Sequence, residues 1–239
     1  MEIASLCRGT LHFFWPVHCA FCGQILPPDT KTDQHCCPAC RDRLFPQQLL
    51  DLPGLDCCFV RTAYTEPVAR AVYRLKFHHQ PQLADTFAQL IVEQMAMQIS
   101  SCRPDCICGV AMHPRRQRRR GYNQADKLAQ QLALRLELPY TPLLKKCRNT
   151  AAQHTLSAEQ RQHNLTGAYT VPCPQQVSGK RVLIADDIVT TGATLSECAK
   201  ALYAAGAQWV GAVCFARPLR PQEQPGTNCS DHNKNPETL

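Results

Sequence analysis

Asp186 and Asp187 stand side by side immediately after the apolar run 182–185, and Thr190, Thr191, Gly192, Ala193 and Thr194 follow within a few residues. An apolar run of this length, preceded by Gly179-Lys180-Arg181, reads as a central strand of a parallel sheet buried on both faces. Open α/β sheets place ligands outside the carboxyl ends of their strands, which is where the two carboxylates fall. Residues 195–205 carry a helical pattern that Gly206 closes. Three hydroxyls and a glycine at the start of that helix describe a turn for an anion, because its backbone N–H groups and the positive end of the helix dipole favour phosphate. Gly192 lets the backbone come close. The carboxylates repel a phosphate, so their partners are the vicinal hydroxyls of a ribose and, through these or water, Mg²⁺. Together the residues fit a ribose 5-phosphate. Gly179-Lys180 is followed by an arginine and lacks the upstream glycine of a P-loop, and the chain has no G-x-G-x-x-G, so neither of those phosphate motifs applies.

A second constellation lies near the amino terminus. Cys19 and Cys22 form one C-x-x-C knuckle and Cys37 and Cys40 another, fourteen residues apart, with Gly23, Pro27 and Pro28 between them. Paired knuckles at this spacing suit a structural zinc with four thiolate ligands and no open position for catalysis. Cys36 could compete with Cys37, and His18 or His35 could replace one cysteine. The metal would fold a segment too small to build its own core.

A third lies after the apolar run 106–112, where His113-Pro114 is followed by five arginines in six positions, Arg115, Arg116, Arg118, Arg119 and Arg120. Charge is concentrated around this cluster. Residues 59–150 hold fifteen Lys and Arg against six Asp and Glu, residues 1–58 hold four against six, and residues 151–239 are balanced at seven each. Such a cluster at a strand's carboxyl end indicates a bound polyanion.

The elements that must position these residues follow from length and pattern. The chain has 239 residues, 44% of them hydrophobic and 19% charged, which is globular composition. No stretch approaches the ~18 apolar residues of a membrane span. The apolar segment 11–17 is short, lacks a cleavage site and leads into cysteines, so it is not read as a signal peptide and a cytoplasmic protein is expected. Sixteen cysteines in an α/β pattern are then expected to be mostly reduced. Residues 59–64 suit a strand. Residues 67–77 suit a helix with Val68, Ala71, Val72 and Leu75 on its buried face, and 83–99 a longer one with Phe87, Leu90, Ile91 and Met95 buried. Residues 122–138 form a third helix that Pro139 stops, residues 140–144 a strand, and residues 209–216 a last strand. The polar stretch 145–155 lacks periodicity. We therefore expect a small zinc ribbon at 1–57, an α/β domain at 58–217 and a disordered tail at 218–239.

The Asp-Asp pair with its Thr-rich turn resembles the phosphoribosyl pyrophosphate (PRPP) loop of type I phosphoribosyltransferases, and the chain over about residues 7–217 resembles the ComF/GntX family of competence-associated proteins. The resemblance implies an open, mainly parallel sheet behind an amino-terminal zinc ribbon. It also implies a pyrophosphate cradle in the arginine stretch, where Arg115, Arg116 and Arg120 are the first candidates because guanidinium groups grip phosphate oxygens in a fixed fork. Lys76-Phe77 matches the family's Lys-aromatic pair, residues 145–155 occupy the place of its closing loop, and Arg148 and Arg161 become candidate ligand contacts. PRPP with Mg²⁺ is the implied ligand, and displacement of pyrophosphate at the anomeric carbon the implied chemistry.

Nothing in the sequence specifies an acceptor. Three readings follow: a PRPP-binding ComF-type protein of DNA uptake or utilisation, with competence-machinery proteins as partners; a salvage or biosynthetic phosphoribosyltransferase; and a non-catalytic module for single-stranded DNA. In the third, the arginines contact phosphates and Tyr122 stacks on a base.

Overall fold

The computed structural model describes residues 16–27, 35–46, 48–148 and 166–219. A five-stranded sheet runs in the order β1 (Gln48–Leu50), β2 (Cys57–Ala63), β7 (Trp209–Arg217), β6 (Arg181–Ile188), β3 (Cys106–Gly109). Only the β1–β2 pair is antiparallel. Its helices are α1 (Pro38–Arg41), α2 (Glu66–Phe77), α3 (Leu83–Ser101), α4 (Pro114–Arg120), α5 (Gln124–Leu136) and α6 (Ala193–Ala204). A separate two-stranded ladder joins β4 (Lys145–Lys146) to β5 (Tyr169–Thr170).

The expected central strand is β6, flanked by β3 and β7. Residues 182–185 are wholly buried, and every residue of β7 is buried. The two faces of the sheet carry two cores. Leu183, Ala185, Val213 and Phe215 pack with α2, α3 and α5, whereas Val182, Ile184, Ala212 and Cys214 pack with α6 and Val177. The apolar stripes expected on α2 and α3 are buried as read.

Three local readings differ. The arginine stretch, whose pattern assigns it no element, is a helix: Pro114 fixes the first turn, the His113 ring accepts from Arg115 N at 3.3 Å, and Gly121 in a left-handed conformation ends it. The expected strand at 140–144 is reduced to a single parallel bridge from Tyr140 to Ile107, and the ladder forms one step later at Lys145–Lys146. β3 stops at Gly109, against which α5 packs closely. A Cβ there would lie 2.4 Å from Asp126 Oδ1 and 2.6 Å from its backbone nitrogen. The rest of the expected closing loop, with Arg161, and the tail beyond residue 219 lie outside the described residues.

The cysteine-rich segment does not stand apart. Phe21 is 1% exposed, with its ring 6.2 Å from those of both Phe87 and Phe215, which stack on each other at 3.8 Å. Arg74 on α2 donates to the carbonyls of Ala20 and Phe21, tying the first knuckle to that helix. Residues 52–56 are stapled to α6 and β7: Ser196 Oγ donates to Pro53 O at 2.7 Å, and Tyr203 Oη donates to Asp56 Oδ2 at 2.6 Å, which also accepts from Val210 N. Since β1 also belongs to the large sheet, this N-terminal stretch is woven into the α/β core from residue 48 onward.

Candidate functional site

A cleft of about 700 Å³ opens at the carboxyl ends of β2, β3, β6 and β7, within the size range of ligand pockets. Asp186, Asp187, Thr190, Thr191, Gly192, Ala193, Thr194, Arg116, Arg120 and Lys76 all line it. Arg115 and Arg148 are exposed and lie outside its lining.

Strand geometry separates the two carboxylates. Successive residues of β6 face opposite sides of the sheet, so Asp187 follows Leu183 and Ala185 toward α2, and Asp186 follows Val182 and Ile184 toward α6. Lys76 Nζ, from the last turn of α2, stands 2.7 Å from Asp187 Oδ2. Arg120 Nη1 donates to Gln124 Oε1 at 2.6 Å, and Gln124 in turn bonds Asp187. Burial alone would push Asp187 up, but the Lys76 ammonium and these hydrogen bonds hold its carboxyl below the ordinary carboxylate range. Asp186 goes the other way: burial, then the neighbouring Asp187 charge, raises it well above that range. Their surroundings therefore drive the two carboxyls apart, Asp187 toward the charged form and Asp186 toward the protonated one.

The turn after β6 is built by Gly192, whose φ of +78° caps α6. No side chain caps the start of α6 from that position, and Thr191 Oγ1 accepts from Ala193 N at 3.4 Å. A Cβ at Gly192 would meet Leu52 Cδ2 at 2.8 Å, so the strap 52–56 backs the turn closely.

Several lining residues were not among the first candidates from the sequence. Arg119 joins Arg116 and Arg120 on the cleft side of α4. Asn123 caps α5, accepting from Ala125 N at 3.2 Å and donating to Val110 O at 2.9 Å, which ties α5 to the end of β3. Lys146 and Tyr169 enter from the β4–β5 ladder. Tyr73 and Phe77, 55% and 52% exposed, form an aromatic rim with ring centroids 5.0 Å apart, and the Arg120 guanidinium lies 5.1 Å from the Phe77 centroid. Tyr122 has no such freedom: it is half-buried and its hydroxyl donates to Leu75 O.

Away from the cleft, the sulfurs of Cys19, Cys22, Cys37 and Cys40 lie within 4.8 Å of one another. The Cys22 and Cys37 sulfurs are 3.8 Å apart, the separation that tetrahedral bonds of about 2.3 Å to zinc would give. Cys37 N donates to Cys19 Sγ at 3.4 Å. The donor set therefore fits zinc. Cys36 is not one of the four clustered sulfurs, its thiol donating to the Cys37 carbonyl, and His18 Nδ1 bonds Gly23 O at 2.9 Å.

A profile of the phosphoribosyl transferase domain matches residues 118–237. The DNA utilization protein YhgH of Escherichia coli strain K12 is 33% identical over 228 residues, covering 90% of this chain and 96% of that one. The chain belongs to the ComF family. Competence protein F of Haemophilus influenzae, 31% identical over 226 residues, spans 88% of this ComF-family chain and 95% of its own. Adenine phosphoribosyl transferase from Trypanosoma brucei, solved with AMP, pyrophosphate and ribose-5-phosphate, is 14% identical with a TM-score of 0.42, covering 82% of this chain and 96% of that chain. The fold is that of the type I phosphoribosyltransferases, and among the described residues no helix is long and apolar enough to cross a membrane.

Proposed function

We propose that this ComF-family protein binds PRPP in the cleft and serves the handling or utilisation of DNA that its relatives' names describe. The observation that carries the reading is the juxtaposition of the Asp186–Asp187 pair with the Gly192-capped turn at the start of α6. The turn from Thr190 to Thr194 takes the 5-phosphate, using backbone N–H groups and the helix dipole. The carboxylates take the ribose hydroxyls, and Arg116, Arg119 and Arg120 face the diphosphate.

Mg²⁺ would arrive with the diphosphate and neutralise its charge. Among the described residues, the only cluster of at least three metal-ligating side chains is that of the cysteines. Asp187 is already paired with Lys76, so ligand oxygens and water would hold the ion. Loss of pyrophosphate would leave positive charge at the anomeric carbon. The protein's contribution is positional and electrostatic: Asp187 keeps a fixed negative charge at the ribose, and the arginines stabilise the departing anion. Transfer to an acceptor makes this a candidate pentosyltransferase.

Titration of PRPP and Mg²⁺ into the zinc-loaded protein tests the reading. Binding is expected in the unmutated chain and its loss in Asp186→Ala/Asp187→Ala. Absence of binding to the unmutated chain overturns it.

The Tyr73–Phe77 rim beside Arg119 and Arg120 favours a second reading, a single-stranded DNA segment with bases stacked on the rings and phosphates on the guanidiniums. Affinity for a labelled oligonucleotide should then fall with salt and with Tyr73→Ala/Phe77→Ala. Salt-independent or absent binding removes it.

A further inference from the structure

Lys146 is 8% exposed, yet among the described residues its ammonium has no carboxylate within ion-pairing distance. Its described contact is with the ring of Tyr169, its cross-strand partner, 5.0 Å from Nζ to the centroid. Lys is almost never buried without a partner, because desolvating the ammonium is costly and a ring face returns only part of that cost. Both side chains line the cleft. Two further observations locate what would satisfy the charge. Lys146 lies in the repulsive field of Arg116, which burial and that neighbour together express by lowering its pKa. It also sits on the Asp186 side of β6, since its ring partner Tyr169 packs in the same core as Val182 and Ile184. Two cations that line one cleft, one on α4 and one on β4, repel each other, and an anion bound between them would relieve that repulsion. The anion nearest α4 is the diphosphate, since the 5-phosphate belongs to the turn at the start of α6.

We infer that Lys146 is a ligand-binding residue that, with Arg116, grips the diphosphate of PRPP, and that its charge is retained in the fold at the expense of stability. The inference rests on the PRPP reading. It also accounts for the β4–β5 ladder, in which two residues of strand hold one ammonium in register with Tyr169 and beside Asp186. Loss of pyrophosphate would uncover that ammonium again, so Lys146 distinguishes ligand carrying the diphosphate from ribose 5-phosphate.

The test uses the full chain and three probes, PRPP with Mg²⁺, pyrophosphate with Mg²⁺, and ribose 5-phosphate, titrated into the unmutated protein, Lys146→Met and Lys146→Gln, with thermal melting of each. Deleting one charge-assisted hydrogen bond lowers affinity by about tenfold to a hundredfold. That loss is expected for PRPP and pyrophosphate in both variants, with ribose 5-phosphate affinity kept within about twofold. Lys146→Met should also melt at the same temperature as the unmutated chain or higher, since a neutral thioether of similar length replaces an unpaired buried charge. Undiminished pyrophosphate affinity in both variants overturns the inference while leaving PRPP binding intact. A lower melting temperature in both variants with unchanged affinity shows a structural cation instead. If the unmutated chain binds none of the three probes, the PRPP reading itself fails and this inference with it.

Discussion

Lys76 Nζ lies 2.7 Å from Asp187 Oδ2, at the point where the last turn of α2 crosses the carboxyl end of β6. The Asp187 side chain is 4% exposed and that of Lys76 23%, so little water competes for either charge. The pair joins a helix built early in the chain to the strand that carries the cleft's carboxylates.

Removing the ammonium would leave Asp187 as a buried, unpaired charge. Lys76→Met should cost about 3 kcal/mol at neutral pH, the scale of breaking a buried ion pair from one side. The sign in pH follows from the depressed Asp187 value. Its stabilising contribution is complete above the ordinary 3.8 and is lost as pH falls through the lower folded value, so the gap between variant and parent should be full at neutral pH and close in acid. Denaturant melts at several pH values measure this.

Asp186 should behave oppositely. Because its folded value is raised, stability declines as pH climbs from 3.8 toward that raised value. Asp186→Asn removes the decline and should raise Tm at neutral pH by about 2–4 °C, equivalent to about 1 kcal/mol in a domain of this size. The same variant should lose PRPP binding, so that stability and ligand affinity move in opposite directions.

Gly192→Ala meets two obstacles, a left-handed backbone and the Leu52 methyls at 2.8 and 3.0 Å. A loss of about 1–3 kcal/mol is expected, together with weakened phosphate binding. Adding Leu52→Ala should relieve the contact without restoring the backbone preference, so rescue should be partial in both melting and titration.

Arg116→Ala should weaken pyrophosphate binding about tenfold or more, whereas Arg115→Ala, on the exposed side of the same short helix, should leave it unchanged. Equal effects of the two would place the ligand outside the cleft.

Chelation of the cysteine cluster should lower the melting temperature of the whole chain in one transition. Phe21 is part of the Phe87–Phe215 core, so releasing the knuckle uncovers that core as well. Metal analysis should find one zinc per chain. A separate early transition that left the main melt unmoved would show that the two regions are independent.

The strand, turn and helix around Asp186 were legible because apolar run, carboxylates, hydroxyls and glycine each have a local cause. The four cysteines were legible by spacing, and the choice of Cys37 over Cys36 was not, since both are reached by the same knuckle. The helical state of Pro114–Arg120 was hidden because none of its residues is buried, which leaves no apolar period to read, and its start depends on the His113 ring. Lys146 was hidden in a strand of two residues, too short to show alternation. The Tyr73–Phe77 rim lies off the buried stripe of α2, where spacing gives no sign of a neighbouring cleft. The opposite facing of Asp186 and Asp187 was implicit in strand geometry but acquired meaning only with α2 and α6 in place.

Arg74 holds the carbonyls of Ala20 and Phe21, while two residues further along the same helix Lys76 holds Asp187. The cysteine-bearing module thus braces a wall of the cleft rather than trailing from it as a detachable cassette. Lineages that lost the module would have to rebuild that wall, and a transplant of the sheet alone into another protein would carry the carboxylates without the brace that keeps their counter-charge in place.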